Sequence, residues 1–176
     1  MKILAFDTET TNLLKDDLND VHIIQLAWVL YDCASNKTEE NNFILKVPVK
    51  ITNSNIHGIT TKQSDNGYYI GEIIDIFLDD VKHCDILVGH NLEFDLNVLE
   101  LELHRLQLYS AIDLLYSKTF FDTMLHGQKF LKKSKFPKLQ NLYKALFDEC
   151  FENAHNALFD VKATLKCYLF LRNQSG

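Results

Sequence analysis

Two acidic residues, Asp7 and Glu9, lie near the N-terminus in the segment FDTET, separated by one residue. Side chains alternate between the two faces of a β-strand, so both carboxylates are expected on one face, about 7 Å apart. Like charges at this spacing disfavour each other's ionisation unless a cation lies between them. The pair therefore predicts a cation site. The simpler alternative is a turn-capping aspartate beside a solvated glutamate.

Two later segments carry acids that could complete such a site. Asp95 follows a short apolar run in GHNLEFD, and we expect it in the first turn of a helix that begins near Asn91. The positive end of that helix would also favour a carboxylate there. The segment NAHNALFD contains His155 and Asp160. With Asn156 as the N-cap of the last helix, His155 lies in the preceding loop and can reach the same site as Asp160.

Taken together, FDTET, GHNLEFD and HNALFD, with IHGIT between the first two, resemble the exonuclease motifs of the DEDD superfamily. The similarity extends from about residue 2 to residue 171 and implies a ribonuclease H-like fold. One branch of the superfamily has a tyrosine four residues before the last aspartate, where this chain has Asn156. His155 lies five residues before that aspartate, so the chain resembles the histidine-containing, DnaQ-like branch.

The resemblance implies a 3′→5′ exonuclease that releases nucleoside 5′-monophosphates. Its catalytic residues would be a general base, His155, and four ligands of two Mg²⁺ or Mn²⁺ ions: Asp7, Glu9, Asp95 and Asp160. Oxygen ligands suit these hard ions, and two such ions can stabilise the attacking and leaving oxygens together. Without them we expect the carboxylates to repel one another and to have raised pKa values. Substrate-binding positions of the family correspond here to Thr8, Thr10, Leu13, His57, Asn91 and Phe94.

A lysine-rich segment is the other charged feature of the chain. Five lysines fall within ten residues, interleaved with two phenylalanines and a proline: Lys129, Lys132, Lys133, Lys135 and Lys138. We predict that they contact the backbone of a single strand, with an aromatic ring available for base stacking. A solvated loop without a role is the alternative.

The composition limits the classes of protein that the chain can represent. Its 176 residues predict one exonuclease domain over residues 1–176, and 47% hydrophobic residues exclude global disorder. A net charge of −6 argues against a surface that binds nucleic acid all over. Only two of the 18 basic residues are arginines, so readout of base sequence is not expected. No secretory signal or bilayer-spanning run is recognisable, which predicts a cytoplasmic protein.

The order of apolar patterns predicts the fold. Three consecutive strands are expected at 2–7, 21–33 and 43–49, with the polar segment 34–42 and an irregular stretch at 52–71 as connections. Helical stripes and short apolar runs then alternate: helix 70–82, strand 86–88, helix 91–107, strand 119–121, and helices from about 122, 138 and 156. This order predicts an α/β fold of three layers, a mixed five-stranded sheet flanked by helices.

Three functions remain open from the sequence. The first is an exonuclease on single-stranded or frayed DNA 3′ ends, serving proofreading or repair during DNA replication. The second is an exoribonuclease that trims RNA 3′ ends, as RNase T-like members do. The third is a non-catalytic module that recruits a DNA polymerase, which the intact set of five chemical residues disfavours. The chain ends soon after the last predicted helix, so we expect a free-standing monomer or homodimer that binds nucleic acid without sequence specificity.

Overall fold

The computed structural model describes residues 1–15, 17–150 and 156–174. Five strands form a single mixed sheet: β1 (Lys2–Thr10), β2 (Ile23–Asp32), β3 (Lys37–Ile44), β4 (Ile86–Gly89) and β5 (Thr119–Asp122). Their order across the sheet is β3-β2-β1-β4-β5. The first three strands pair antiparallel, whereas β4 is parallel to both β1 and β5. The predicted α/β fold with a mixed five-stranded sheet is confirmed.

Helices occupy most of the rest of the described chain. They are α1 (Ser54–His57), α2 (Thr61–Asp65), α3 (Ile70–His83), α4 (Leu92–Arg105), α5 (Tyr109–Tyr116), α6 (Thr123–Phe130), α7 (Leu139–Phe147) and α8 (Ala157–Leu171). Among these helices, none has the length and hydrophobicity needed to cross a bilayer.

The predicted third strand, at 43–49, was placed too late in the chain. The observed β3 covers most of the polar segment that was expected to be a connection, and only its last two residues, Phe43 and Ile44, belong to the predicted run. β3 lies at the edge of the sheet, where its residues up to Asn42 are mostly exposed. Backbone pairing with β2 makes it a strand, and a polar edge strand has no apolar alternation by which a sequence could reveal it.

Two other parts of the chain are more helical than expected. The stretch 52–71 contains α1 and α2, and α2 begins at a capping box in which Thr60 and Gln63 bond each other's backbone. Helix α5 was not predicted at all; it follows α4 after three residues and packs against it and against α3.

Strand β1 is buried on both faces. Its even-numbered residues Leu4 and Phe6 join the larger core cluster, formed with Trp28 and with α3, α4 and α5. Its odd-numbered residues Ile3 and Ala5 pack against one face of α8. Any polar side chain at the C-terminal end of β1 is therefore removed from much of its solvent, which is the setting of the two acids that continue the odd-numbered face.

Asp122, at the end of β5, bonds the N-termini of two helices. One carboxylate oxygen accepts from the backbone N of Met124 (2.8 Å) and of Leu125 (3.4 Å) in α6. The same oxygen accepts from Asn91 N (3.2 Å), and the other accepts from Leu92 N (3.0 Å), at the start of α4. This one side chain therefore fixes α4 relative to β5 and α6.

Replacing Asp122 with alanine should lower the free energy of unfolding by about 2 to 4 kcal/mol, because one cap is worth roughly 1 kcal/mol and each N–H left without an acceptor costs about 1 to 3. Chemical denaturation measures this loss. Asp113→Ala, at an exposed position of α5, is the matched control and should change stability by less than about 0.5 kcal/mol. Equal losses in the two variants would contradict the double cap.

Candidate active site

Three carboxylates meet at the C-terminal end of β1. Asp7 and Glu9 project from the strand on the face that packs against α8, and Asp160 lies in the first turn of α8. One oxygen from each of the three lies within 4.8 Å of the others. The strand supplies two of these groups through simple alternation, and the docking of α8 on β1 brings in the third.

Asp95 lies beside this cluster on the other side of the strand. It is in the first turn of α4 and is 2% exposed. Its Oδ1 accepts from the backbone N of Thr8 (3.1 Å) and from the Thr8 hydroxyl (2.7 Å). Thr8 sits between Asp7 and Glu9 in β1, so these two bonds hold Asp95 next to both acids without placing it among the three closely spaced oxygens.

Burial and mutual repulsion raise the pKa values of these acids. The pKa of Asp7 is raised well above its usual value of 3.8, first by burial and then by the charges of Asp95, Asp160 and Glu9. Burial, followed by Asp160 and Asp95, raises the pKa of Glu9 to about 8. Burial also raises the pKa of Asp95 to about 7, against the lowering effect of its bonds from Thr8. The raised values were predicted from repulsion, but loss of solvent is the larger cause.

The donor set of the cluster fits a small divalent ion. Ligand oxygens lie about 2.1 Å from Mg²⁺, so two on opposite sides of one ion are about 4.2 Å apart. The spacing of the carboxylate oxygens of Asp7, Glu9 and Asp160, at most 4.8 Å, is close to that value. All the donors are oxygen, as Mg²⁺ and Mn²⁺ prefer, and a cation there would oppose the repulsion that raises the pKa values.

The predicted general base, His155, lies outside the described residues. The next residue, Asn156, is the N-cap residue of α8, as predicted, but its side chain makes no capping hydrogen bond. Among the described residues, its buried Oδ1 has no hydrogen-bond partner.

His57 ties the IHGIT segment to the end of β1. Its Nδ1 accepts from the backbone N of Ile59 (3.1 Å), so Nε2 carries the proton and donates to Asn53 Oδ1 (3.1 Å). Asn53 in turn donates to the carbonyl of Thr10 (2.9 Å), the last residue of β1. Burial lowers the pKa of His57, which favours the neutral ring. Both ring nitrogens are thus used within the protein.

The other predicted substrate contacts have different environments. Thr10 is buried, and its hydroxyl donates to the carbonyl of Asn12 (2.8 Å). Leu13 is 51% exposed in the loop after β1. Asn91 is exposed and has left-handed backbone geometry (φ 74°) at the N-cap of α4. Phe94 is half-buried and packs against the core on the same helix.

The loop that carries Leu13 is braced by two charged residues of α4 that the sequence did not single out. Arg105 donates to the carbonyls of Val21 (2.7 Å) and Leu18 and to Glu102 Oε1 (2.9 Å). Buried Glu102 also accepts from the backbone N of Ile23 (3.3 Å). The loop and strand atoms that they bond lie about eighty positions earlier in the chain, so no local pattern could have indicated these contacts.

The predicted lysine-rich segment spans the end of α6 and the connection to α7, up to the N-cap residue Lys138. All five of its lysines are exposed: Lys129, Lys132, Lys133, Lys135 and Lys138. Phe130 and Phe136 are also exposed, by 41% and 56%. The arrangement leaves cations and aromatic rings on the surface, and their contact with a nucleic acid stays a prediction.

Three solved structures with a similar fold are nucleases. One is cell-death related nuclease 4, 16% identical, with a TM-score of 0.69 over 99% of this chain and 64% of that one. A full-length 3′-exonuclease is 15% identical, with a TM-score of 0.71 over 98% of this chain and 60% of that one. A 3′-exonuclease that recognises the 3′ end of a histone mRNA stem-loop is 15% identical, with a TM-score of 0.72 over 99% and 82%. This chain thus spans less than two thirds of the length of the first two.

Sequence comparison gives a family assignment. No curated protein sequence matches the chain. The exonuclease family model RNase_T, in contrast, matches residues 4–168. That range includes the acids at the end of β1, Asp95 in α4 and Asp160 in α8. The chain therefore belongs to the RNase_T exonuclease family, whose members are nucleases.

Proposed function

We propose that the chain is a metal-dependent 3′→5′ exonuclease, which hydrolyses the terminal phosphodiester bond of a nucleic-acid strand and releases nucleoside 5′-monophosphates. The observation that carries the proposal is the convergence of the Asp7, Glu9 and Asp160 oxygens within 4.8 Å, with Asp95 bonded to the intervening Thr8. Packing mutually repelling acids gives no structural advantage, so their gathering is explained by a cation.

Four acids would hold two Mg²⁺ or Mn²⁺ ions, with Asp7, Glu9 and Asp160 as the close group and Asp95 from the opposite side. When bound, the ions would supply charge stabilisation to the attacking and leaving oxygens and a lowered pKa for the attacking water. In this proposal His155 accepts the proton of that water through a neutral ring nitrogen. Thr8 keeps Asp95 in place, because its hydroxyl is already committed to that carboxylate.

The remaining proposed contacts would bind the terminal nucleotide. Leu13, exposed beyond the end of β1, offers an apolar surface for a base, and half-buried Phe94 offers the edge of a ring. Asn91 has an exposed amide. Thr10 and His57 use their polar atoms within the protein, so their proposed part is to fix the shape of the pocket.

Single-stranded or frayed DNA is the proposed substrate, in keeping with a role in proofreading or repair. RNA is the second candidate, because one protein of similar fold recognises the 3′ end of a histone mRNA stem-loop. Recruitment of a DNA polymerase, assembly as a monomer or homodimer, and a cytoplasmic location remain predictions.

The substrate is tested with 5′-labelled single-stranded DNA and RNA of one sequence, each with and without Mn²⁺ or Mg²⁺. We expect a one-nucleotide ladder on DNA that requires the ion, and no cleavage of a strand whose 3′ end is blocked. A ladder on RNA alone would select the second candidate. Intact strands in all lanes, or cuts inside the blocked strand, would contradict the proposed exonuclease.

The ion should stabilise the protein increasingly as pH rises. In the folded protein without metal, the pKa of Asp95 is about 7 and that of Glu9 about 8. The folded state therefore retains protons that the unfolded chain has already released, and its stability falls as the pH rises from about 4 to about 8. An ion at 100 times its Kd contributes about 2.7 kcal/mol, roughly 5 to 10 °C in Tm. Melting curves in Mn²⁺ and in chelator, at pH 5 and pH 8, measure the increment. An increment that is no larger at pH 8 would count against a site built from these acids.

Asp7→Asn separates catalysis from stability. Removing one buried negative charge should raise the Tm of the metal-free protein and abolish most of the Mn²⁺-dependent increment, while nuclease activity falls by at least about 10³-fold, as expected when one member of a catalytic unit is removed. Asp113→Asn, exposed on α5, is the control and should leave all three quantities unchanged. If activity and metal-free stability fall together in Asp7→Asn, the residue is structural.

A further inference from the structure

The connection between α6 and α7, residues 131–138, is here called the lysine loop. It is held by hydrogen bonds at several points. The side chain of Gln128 donates to the carbonyl of Ser134 (3.0 Å), and the backbone N of Lys133 donates to the carbonyl of Gln128 (3.1 Å). Near its end, the carbonyl of Pro137 accepts from His90 Nε2 (3.0 Å). The loop therefore has a defined conformation although its cations face solvent.

The helices on either side of the loop are also fixed relative to each other. Gly127 in α6 packs so closely on α7 that a Cβ added there would lie 2.6 Å from Leu142 Cδ1. Leu142 is fully buried. The helices α6 and α7 therefore pack in direct contact on either side of the lysine loop.

His90 joins the loop to the sheet. It follows Gly89, the last residue of β4, and its Nδ1 lies 3.0 Å from the hydroxyl of Thr123, which also contacts the carbonyl of Gly89 (3.0 Å). A carbonyl can only accept, so the Nε2 facing Pro137 carries the proton, and the single proton of the Thr123 hydroxyl is shared between Nδ1 of the neutral ring and the carbonyl of Gly89. Burial lowers the pKa of His90, in keeping with that neutral form.

The position of His90 relates the loop to the acidic site. The next residue, Asn91, is the N-cap of α4, whose first turn carries Asp95. Asp95 is bonded to Thr8 in β1, between the two acids of the strand. Only Asn91 therefore separates His90, the anchor of the lysine loop, from the helix that reaches the active site. The loop and the acids are attached to the same end of the sheet.

We propose that the lysine loop is a pre-positioned surface for the phosphate backbone of the strand whose 3′ end enters the acidic site, and that His90 is the positioning residue that fixes this surface. The proposal rests on the exonuclease function proposed above. None of the lysines at 132, 133 and 135 forms an ion pair with an acid of the described chain, so their charges are available to phosphates. Lysine contacts phosphate as a point charge and reads no base, which suits an enzyme that must accept every sequence. Phe136, 56% exposed within the loop, adds a ring on which a base can stack.

The experiment compares two substrates that differ in whether they reach the loop. One is a labelled single-stranded oligonucleotide, and the other is a p-nitrophenyl ester of a nucleotide, which has no strand beyond the reacting phosphate. For His90→Ala, the ratio of kcat/KM on the oligonucleotide to kcat/KM on the ester should fall about tenfold. The fall should come from a higher KM for the oligonucleotide. His90→Gln retains an N–H donor and should restore most of the ratio. A fall on both substrates alike would show that His90 acts on the acidic site and would overturn the proposal.

Salt dependence provides a readout that a purely structural role would not change. Replacing Lys133 and Lys135 with glutamine should reduce the slope of log(kcat/KM) for the oligonucleotide against log[salt] by about 1.4, at roughly 0.7 per phosphate contact of a single strand. The matched control, Lys37→Gln with Lys62→Gln at exposed positions of β3 and α2, should leave the slope unchanged. Adding His90→Ala to the lysine pair should cost less than it does alone; additive effects would overturn the link between His90 and the loop.

Two further measurements keep the outcome decisive. If His90→Ala does not fold, Gln128→Ala removes the other tether of the loop and should lower the same substrate ratio; an unchanged ratio would overturn the proposal. If the wild-type protein cleaves neither substrate, the exonuclease function fails, and the affinity for the labelled strand, measured by fluorescence anisotropy, decides about the loop separately. Loss of affinity in the lysine pair and in Gln128→Ala would then still support the surface, and unchanged affinity would refute it.

Discussion

Loss of solvent, together with electrostatic repulsion among neighbouring carboxylates at the end of a strand covered on both faces, is the constraint around which the structure is organised. Burial deprives Asp7 and Glu9 of water, and their neighbours add like charge, so the pKa values of both are raised. Each ionised acid is unfavourable there unless a cation compensates it. The surrounding core supplies the free energy that holds the acids in place: β1 is clamped between α8 on one face and the cluster of α3, α4 and α5 on the other.

Asp95 shows how the protein offsets the cost of burying an acid. Its side chain is the least exposed of the four acids, and burial raises its pKa. Two hydrogen bonds from Thr8 act in the opposite direction, so its pKa is about 7, compared with about 8 for Glu9. The two hydrogen bonds that Thr8 donates thus favour the charged form of Asp95. The helix that carries Asp95 is in turn anchored by Asp122, whose own four N–H partners lie at helix N-termini, where a carboxylate is most favoured.

Local rules were sufficient to predict part of this arrangement. Alternation along a strand put Asp7 and Glu9 on one face, and helical patterns gave α3 and α4 nearly to their ends and the starts of α7 and α8. The rest depends on tertiary contacts that leave no local pattern. β3 is a strand because β2 pairs with it, although its polar residues resemble a connection. Asp122 could be recognised as a cap of α6, but its bonds to α4, thirty residues away, could not. The tether from His90 to Pro137 spans 47 positions and is equally invisible in the sequence.

The net charge of the chain and the charges near the acidic site predict opposite effects on the binding of an anionic ligand. The whole chain carries −6, which would repel a phosphate backbone if charge acted at long range, and two divalent ions would leave about −2. At physiological salt, however, charges more than about 8 Å apart are largely screened. A strand near the acidic site would therefore respond to ions bound there and to the nearest lysines, and hardly to acids that lie farther away than this screening length. Lysines on a loop with a defined conformation, near the acidic site, should then bind a phosphate backbone more tightly than the same lysines distributed over the surface. The backbone of such a loop is already ordered, so binding costs only the entropy of the lysine side chains.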